Sequence, residues 1–274
     1  MKKIKRLNII SLCLIFTMSV FAADNDLITK QITVCVDKPG CLANMIGESK
    51  KYCITYLKLT GQINGDDIQF LREMAGCEGS NGNDDGKLAC IDMSEAMVVS
   101  GGMYYYFDEK SNHMTGVYSW NNIVSEYMFY GCKSLERVTL PQTATEIKEC
   151  AFAGCKRLTE VKMGNNLKTI GERVFSDCSS LKNIKIHGNV ETIGNGAFEG
   201  CTSLLSVYSD CKKTPLLGKG VFAGCNRKCC VLIVPQGTYC SYWLSSWGDF
   251  FINIKEQNNM LMQQLLTMIY FGTL

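Results

Sequence analysis

A 23-residue period governs what this chain can fold into. Phenylalanines recur at Phe129, Phe152, Phe175, Phe198 and Phe222, at spacings of 23, 23, 23 and 24. Three residues after each comes Cys132, Cys155, Cys178, Cys201 or Cys225. Leu135, Leu158, Leu181 and Leu204 follow the first four cysteines, and then Val138, Val161, Ile184 and Val207. Five residues before each Phe stands Val124, Ile147, Ile170, Ile193 or Leu217. Columns that hold register over four units define an internal repeat.

Each unit contains a short apolar alternation, as in LERVTL, LTEVKM and LKNIKI, followed by turn-prone residues. One side chain faces in and the next faces out, which is the period of a strand. Twenty-three residues cannot bury their own apolar face, so units must stack and bury one another. The expected fold is a solenoid of short parallel strands, stacked with a period of about 23 residues and closed at both ends by capping segments. The second segment of each unit, such as LKTIGERVFSDC, supplies the opposite wall, and its backbone reads equally as extended or as a short helical turn. Upstream, LACIDM from Leu88 repeats the spacing of LERVTL, and YLKLTGQI near Leu57 reads as another strand. Between them DIQFLREMAG has helical spacing, with Asp67 as N-cap and Gly76 as stop. VLIVP reads as the last strand, followed by the aromatic stretch YCSYWLSSWGDFF.

These columns resemble the BspA-like, or treponemal-type, leucine-rich repeats of bacterial surface proteins, over about Val124 to Ile254. Phe129, Gly131, Cys132, Leu135, Val138, Leu140 and Pro141 fit one unit, and Phe152, Gly154, Cys155, Leu158, Val161, Ile170 and Gly171 the next. Phe198, Gly200, Cys201 and Leu204 begin another. Asp177 replaces the Gly before Cys178, and Ser209 to Gly218 fits least well. Leu57 to Gly76 and the stretch from VPQGTYC to Glu256 look like the flanking regions of such proteins in Bacteroides-type bacteria. The resemblance implies a leucine-rich-repeat fold and an extracytoplasmic protein that adheres to host proteins or other cells. It does not imply one shared ligand.

The chain start fits export. Lys2, Lys3, Lys5 and Arg6 precede the apolar run LNIISLCLIFTMSVFA, the pattern of a secretory signal peptide over residues 1–22. Its loss turns 28 cations against 26 anions into 24 against 26. A near-neutral mature chain has no bulk attraction to nucleic acid. The organisation expected beyond it is an N-terminal region with degenerate repeats and a cap (23–123), regular repeats (124–225), a C-terminal capping segment (226–256) and a tail (257–274). The tail is too short to cross a membrane, so no transmembrane span is expected in the mature chain.

Sixteen cysteines, one of them in the signal segment, leave an odd number in an oxidising compartment. The cysteine column reads as a ladder of buried thiols, because free cysteine packs as a small hydrophobe. Disulfides are expected among the remaining cysteines, with Cys35 and Cys41 a pair across the VDKPG turn. Thiolates strung along a solenoid do not converge on a tetrahedral centre, so no metal is expected. CEGSNGNDDGK resembles a calcium loop in composition but lacks its spacing and terminal Glu. The two histidines, His113 and His187, read as exposed loop residues in different units. No phosphate loop, dinucleotide fingerprint or metalloprotease helix is present. The reading is therefore no enzyme, no catalytic residue and no cofactor.

Binding candidates are the outward strand positions Arg137, Thr139, Glu160, Lys162, Asn183, Lys185, Ser206 and Tyr208. A mixed, mildly basic row ending in an aromatic suits a protein or glycan on a host or bacterial surface; it equally suits an ordinary solvated sheet face. The functional expectation is a secreted or cell-surface protein with a non-enzymatic binding role, adhesion included. The alternatives are a structural or assembly component of the cell surface and, behind it, a cysteine-dependent enzyme.

Overall fold

The computed structural model describes residues 27–77, 86–107 and 116–257. The expected signal peptide, the tail beyond Gln257, most of the CEGSNGNDDGK loop and His113 lie outside the described residues. The N-terminal part runs through β1 (Ile32–Val36), α1 (Leu42–Ile46), β2 (Tyr56–Ile63), α2 (Gly65–Met74) and β3 (Cys90–Val98). The expected helix is there, but its N-cap is Asn64 and not Asp67. Asp67 sits at N3 and closes a capping box with Asn64. Its buried carboxylate also accepts the backbone N–H groups of Gly40 (2.7 Å) and Leu42 (2.9 Å), which ties the preceding loop to the helix start. Gly76 ends the helix in the left-handed region, at φ 62°. An antiparallel hairpin follows, β4 (Gly101–Phe107) with β5 (Gly116–Ser119).

From Ile123 the chain alternates a two-residue strand with a longer one. In order these are β6 (Ile123–Val124), β7 (Arg137–Thr139), β8 (Glu146–Ile147), β9 (Glu160–Lys162), β10 (Thr169–Ile170), β11 (Asn183–Ile186), β12 (Thr192–Ile193), β13 (Ser206–Ser209) and β14 (Leu216–Leu217). β15 (Val231–Val234), α3 (Tyr239–Trp243), α4 (Ser246–Phe250) and β16 (Asn253–Glu256) complete it. VLIVP is thus not the last strand, because β16 adds in parallel to β15. The longer strands form parallel ladders, β1-β2-β3-β7-β9 and β11-β13-β15-β16. The short ones form a third, β6-β8-β10-β12-β14. The second segment of each unit is therefore a two-residue strand between turns. The upstream strands join the same face in register: Leu57 pairs with Ile91, Ile91 with Val138, and Val138 with Val161.

The phenylalanine column is a continuous ring stack. Phe129, Phe152, Phe175, Phe198 and Phe222 lie with successive centroids 5.4 Å apart. All five are buried. Each ring contributes roughly 1.5–3 kcal/mol by leaving water. The Gly–Cys pair inside each unit has two separate jobs. Gly131, Gly154, Gly200 and Gly224 have φ between 65° and 78°, the left-handed region where a side chain is strained. Asp177 takes that conformation in their column at φ 58°. The thiols of Cys155, Cys178, Cys201 and Cys225 donate to the carbonyls of Phe129, Phe152, Phe175 and Phe198, at 3.0–3.2 Å. Cysteine is thus both filler and donor to a buried carbonyl one repeat earlier.

Two cysteine expectations need correction. Cys132, the first member of the column, is bonded to Cys77 across 55 residues instead of standing as a free thiol. Cys35 and Cys41 are both free. Cys77 follows α2, and that helix lies against the first repeat, so the partner of Cys132 comes from the element that occupies the place of a preceding unit.

The two ends of the stack are finished differently. Along it, the N–H groups of Tyr127, Phe129 and Gly131 donate to Glu149, Ala151 and Ala153 of the next unit, and later units repeat this. The equivalent carbonyls of the first unit have no earlier repeat to serve them. Tyr105 Oη donates to the Glu126 carbonyl (2.8 Å), and Arg72 Nη1 donates to those of Tyr127 (2.7 Å) and Met128 (3.2 Å). Arg72 is fully buried, with Tyr106 5.1 Å from its guanidinium carbon. Burial lowers it to about 10. At the other end Trp247, Phe250 and Phe251 surround Phe222. There Trp247 Nε1 donates to the Pro215 carbonyl (2.9 Å) and Tyr242 Oη to that of Cys211 (2.9 Å).

Candidate functional site

Strand alternation places one side chain of each pair in the core and the next in solvent. On the β2-β3-β7-β9 ladder this leaves two outward rows. Tyr56, Cys90, Arg137 and Glu160 share one register, and Lys58, Asp92, Thr139 and Lys162 the other. Tyr56, Cys90, Asp92, Arg137, Thr139, Glu160 and Lys162 line a shallow pocket of ≈ 300 Å³, with Ile91 and Val138 beneath them. Its walls therefore carry two cations, two carboxylates, a phenol, a hydroxyl and a thiol. The Lys162 ammonium lies 3.3 Å from Glu160, and Arg157 pairs with Glu136 beside the pocket. Exposed pairs of this kind hold about 0–1 kcal/mol each, so an incoming ligand can exchange them at small cost.

Four of the eight sequence-selected residues, Arg137, Thr139, Glu160 and Lys162, meet in this pocket. The other four lie on the next ladder. Asn183 faces Ser206 there, and Lys185 faces Tyr208. β9 and β11 lie side by side but are not bonded into one sheet. Ser206 Oγ donates to Asn183 Oδ1 at 2.5 Å, and Lys185 pairs with Asp210 at 2.9 Å. Lys185 is thus held, whereas Tyr208 is 40% exposed and open to contact.

Tyr56, Cys90 and Asp92 were not among the residues singled out by sequence, although the signal for two of them was present. LACIDM aligned on LERVTL puts Cys90 at the position of Arg137 and Asp92 at that of Thr139, and the observed register agrees. Tyr56 required the pairing of β2 with β3, which a bulge shifts between Lys58 and Thr60.

His187 is half-buried rather than an exposed loop residue. Burial and the neighbouring Lys185 hold its imidazole below the ordinary value, against the pull of Asp210 4.0 Å away. For Asp210 itself, burial acts to raise the carboxyl, but hydrogen bonds from Lys185 and Gln257 prevail and lower it. Burial raises Cys155 to about 12 and pushes Cys178 well above a normal thiol, so neither can serve as a thiolate nucleophile near neutral pH. Among the described residues no group of three or more His, Cys, Asp or Glu could hold a metal ion. No described helix is long and apolar enough to cross a membrane.

Residues 105–232 match the model of the BspA type leucine rich repeat region, in six copies. A leucine-rich repeat protein from Bacteroides capillosus is 28% identical over 38% of this chain and 71% of that one, with a TM-score of 0.29. The leucine rich repeat protein of T. pallidum is 26% identical over 44% of this chain and 77% of that one, with a TM-score of 0.29. The pneumococcal vaccine antigen PcpA is 13% identical over 75% of this chain and 59% of that one, with a TM-score of 0.40. No curated protein matches the chain.

Proposed function

We propose, on the premise that residues 105–232 are a BspA-type leucine-rich repeat region, that this is a secreted or cell-surface binding protein without enzymatic activity. The repeats form a solenoid with a 23-residue period, capped by Arg72 and its surroundings at one end and by the Trp247 segment at the other. The ligand is a protein or glycan, held by the outward rows of the longer strands. The observation that carries this reading is the pocket bounded by Arg137, Thr139, Glu160 and Lys162, where charged and polar side chains of four ladder strands converge. Paired charges of both signs suit a ligand that offers donors and acceptors of its own, such as an extended peptide or a hydroxyl-rich sugar. Tyr208 extends the row with an aromatic surface.

The test is a binding screen of the mature protein against matrix proteins and glycans, repeated with Lys162→Glu and Arg137→Glu. A ligand that binds the parent should lose at least about tenfold affinity with the double variant, as expected when charged contacts in a binding site are reversed. Lys185→Glu should have a smaller effect, because Lys185 is held by Asp210. No specific ligand in the screen, or equal binding by the double variant, would refute the assignment to this face. An inert parent would favour a structural component of the cell surface.

A further inference from the structure

The last repeat and the segment that follows it differ in charge from the rest of the molecule. From Cys211 to Gly248 the sequence carries Lys212, Lys213, Lys219, Arg227 and Lys228, and no Asp or Glu. All five cations are exposed. The carboxylates on either side are largely occupied. Asp210 holds Lys185 (2.9 Å) and Gln257 (3.1 Å), and Glu256 accepts the N–H groups of Gly237 (2.9 Å) and Tyr239 (3.0 Å). Asp249 is the one further acid between them, and it is exposed.

The same region exposes large apolar side chains. Leu244 is 83% exposed, Leu216 72% and Trp243 46%. Leu216 occupies an outward position of the short-strand ladder where the three preceding rungs carry Glu146, Thr169 and Thr192 and the first carries Ile123. Its neighbourhood is tied to the terminal helices: Trp247 of α4 bonds the Pro215 carbonyl, and Tyr242, beside Trp243, bonds that of Cys211, beside Lys212. Cations and apolar side chains thus both belong to the last repeat and the segment that follows it. Beyond Gln257 the sequence continues for 17 residues without a charged side chain.

We propose that this end docks peripherally on an anionic lipid surface, with Lys212, Lys213, Arg227 and Lys228 meeting headgroups while Trp243 and Leu244 enter the interface. Complementary charge accounts for the unopposed cations, and interfacial insertion for the exposed Trp and Leu. A soluble polyanion would use only the cations and leave Trp243 and Leu244 in water. The repeat-face reading is independent of this one, since none of its pocket residues lies in this region.

The experiment is co-sedimentation of the mature protein with phosphatidylcholine vesicles, with and without about a third phosphatidylglycerol, at low and high salt. Binding should require the anionic lipid and weaken with salt. Lys212→Glu with Lys213→Glu should lower vesicle affinity at least about tenfold, since each cation near such a surface is worth about a factor of five. Trp243→Ser with Leu244→Ser should lower it about tenfold as well. All four positions are exposed, so circular dichroism should show an unchanged fold, and Lys162→Glu should bind vesicles like the parent. Equal binding to neutral and anionic vesicles, no binding to either, or indifference to the charge reversals would overturn the proposal. So would full vesicle binding by the apolar variant together with equal retention on dextran sulfate, which would assign the region to a soluble polyanion instead.

Discussion

Arg72 Nη1 donates to the Met128 carbonyl at 3.2 Å, the place where every later unit receives the N–H of a phenylalanine one repeat earlier. A side chain from α2 thus supplies a bond that the backbone of an absent repeat cannot make. The same group reaches the Tyr127 carbonyl, and Tyr105 serves that of Glu126.

Arg72→Met keeps the volume and removes these donors. It leaves the Met128 carbonyl without this donor, at about 1–3 kcal/mol, and takes a second hydrogen bond, worth about 1 kcal/mol, from the Tyr127 carbonyl, which keeps the N–H of Tyr130, so a loss of roughly 2–4 kcal/mol is expected. Urea denaturation would measure it. Tyr105→Phe should cost less, since it removes one donor and keeps the ring. Equal stability of Arg72→Met and the parent would show that the first unit does not depend on this contact.

The disulfide between Cys77 and Cys132 closes 55 residues, and chain entropy alone assigns it about 4 kcal/mol. Cys77→Ser with Cys132→Ser should lower the denaturation midpoint accordingly, and a reducing agent should have the same effect on the parent only. Thiol titration of the denatured, unreduced protein spanning residues 23–274 should find 13 reactive groups. Fifteen would exclude this bridge.

The buried thiols make a pH prediction. Cys155 is raised from 9.0 to about 12 by burial, and Cys178 also lies well above 9.0. Above pH 9 the unfolded chain releases these protons while the folded protein keeps them. Their stabilisation is therefore complete below about pH 9 and is lost as pH rises from 9 towards 12. The denaturation midpoint should fall over that window, and Cys178→Ala should flatten the fall. At neutral pH the same substitution should cost about 0.5–1.5 kcal/mol, because the Phe152 carbonyl loses its thiol donor but keeps the N–H of Cys155. In the folded protein Cys155, Cys178 and Cys201 should resist alkylation, whereas Cys229 and Cys240, both exposed, should react first.

Two columns of left-handed residues permit a matched pair of substitutions. Gly154 has φ 75°, and a Cβ added there would meet only the Gly131 backbone within 4 Å, so Gly154→Ala tests backbone strain without a clash. A loss of about 1–2 kcal/mol is expected. Arg173 has φ 49° in the column that continues with Gly196 and Gly220. Arg173→Gly relieves strain but loosens the unfolded chain, so thermal melting should show a change of no more than about 1 kcal/mol in either direction.

The legibility of the site followed the regularity of the repeat. Arg137, Thr139, Glu160 and Lys162 could be chosen from alternation alone, because a strand of known register exposes every second residue. Asp92 and Cys90 sat in a degenerate unit whose alignment is visible only after the regular columns are extended upstream. Tyr56 depended on the register of β2 against β3, since YLKL shares the apolar alternation of CIDM but none of the Phe, Gly and Cys columns that fix register in the regular units.

By itself the sequence determined the repeat, the identity of its core columns and the parallel stacking, because units that cannot bury their own apolar face must bury each other's. Tertiary structure alone decided which side chains close the series at its two ends. Cys132 meets Cys77, Arg72 meets Met128, and Trp247 meets Phe222 through contacts that no period encodes. A repeat specifies the bonds between like units, and the carbonyls and rings left over at its ends are satisfied by whichever side chains the flanking segments bring within reach.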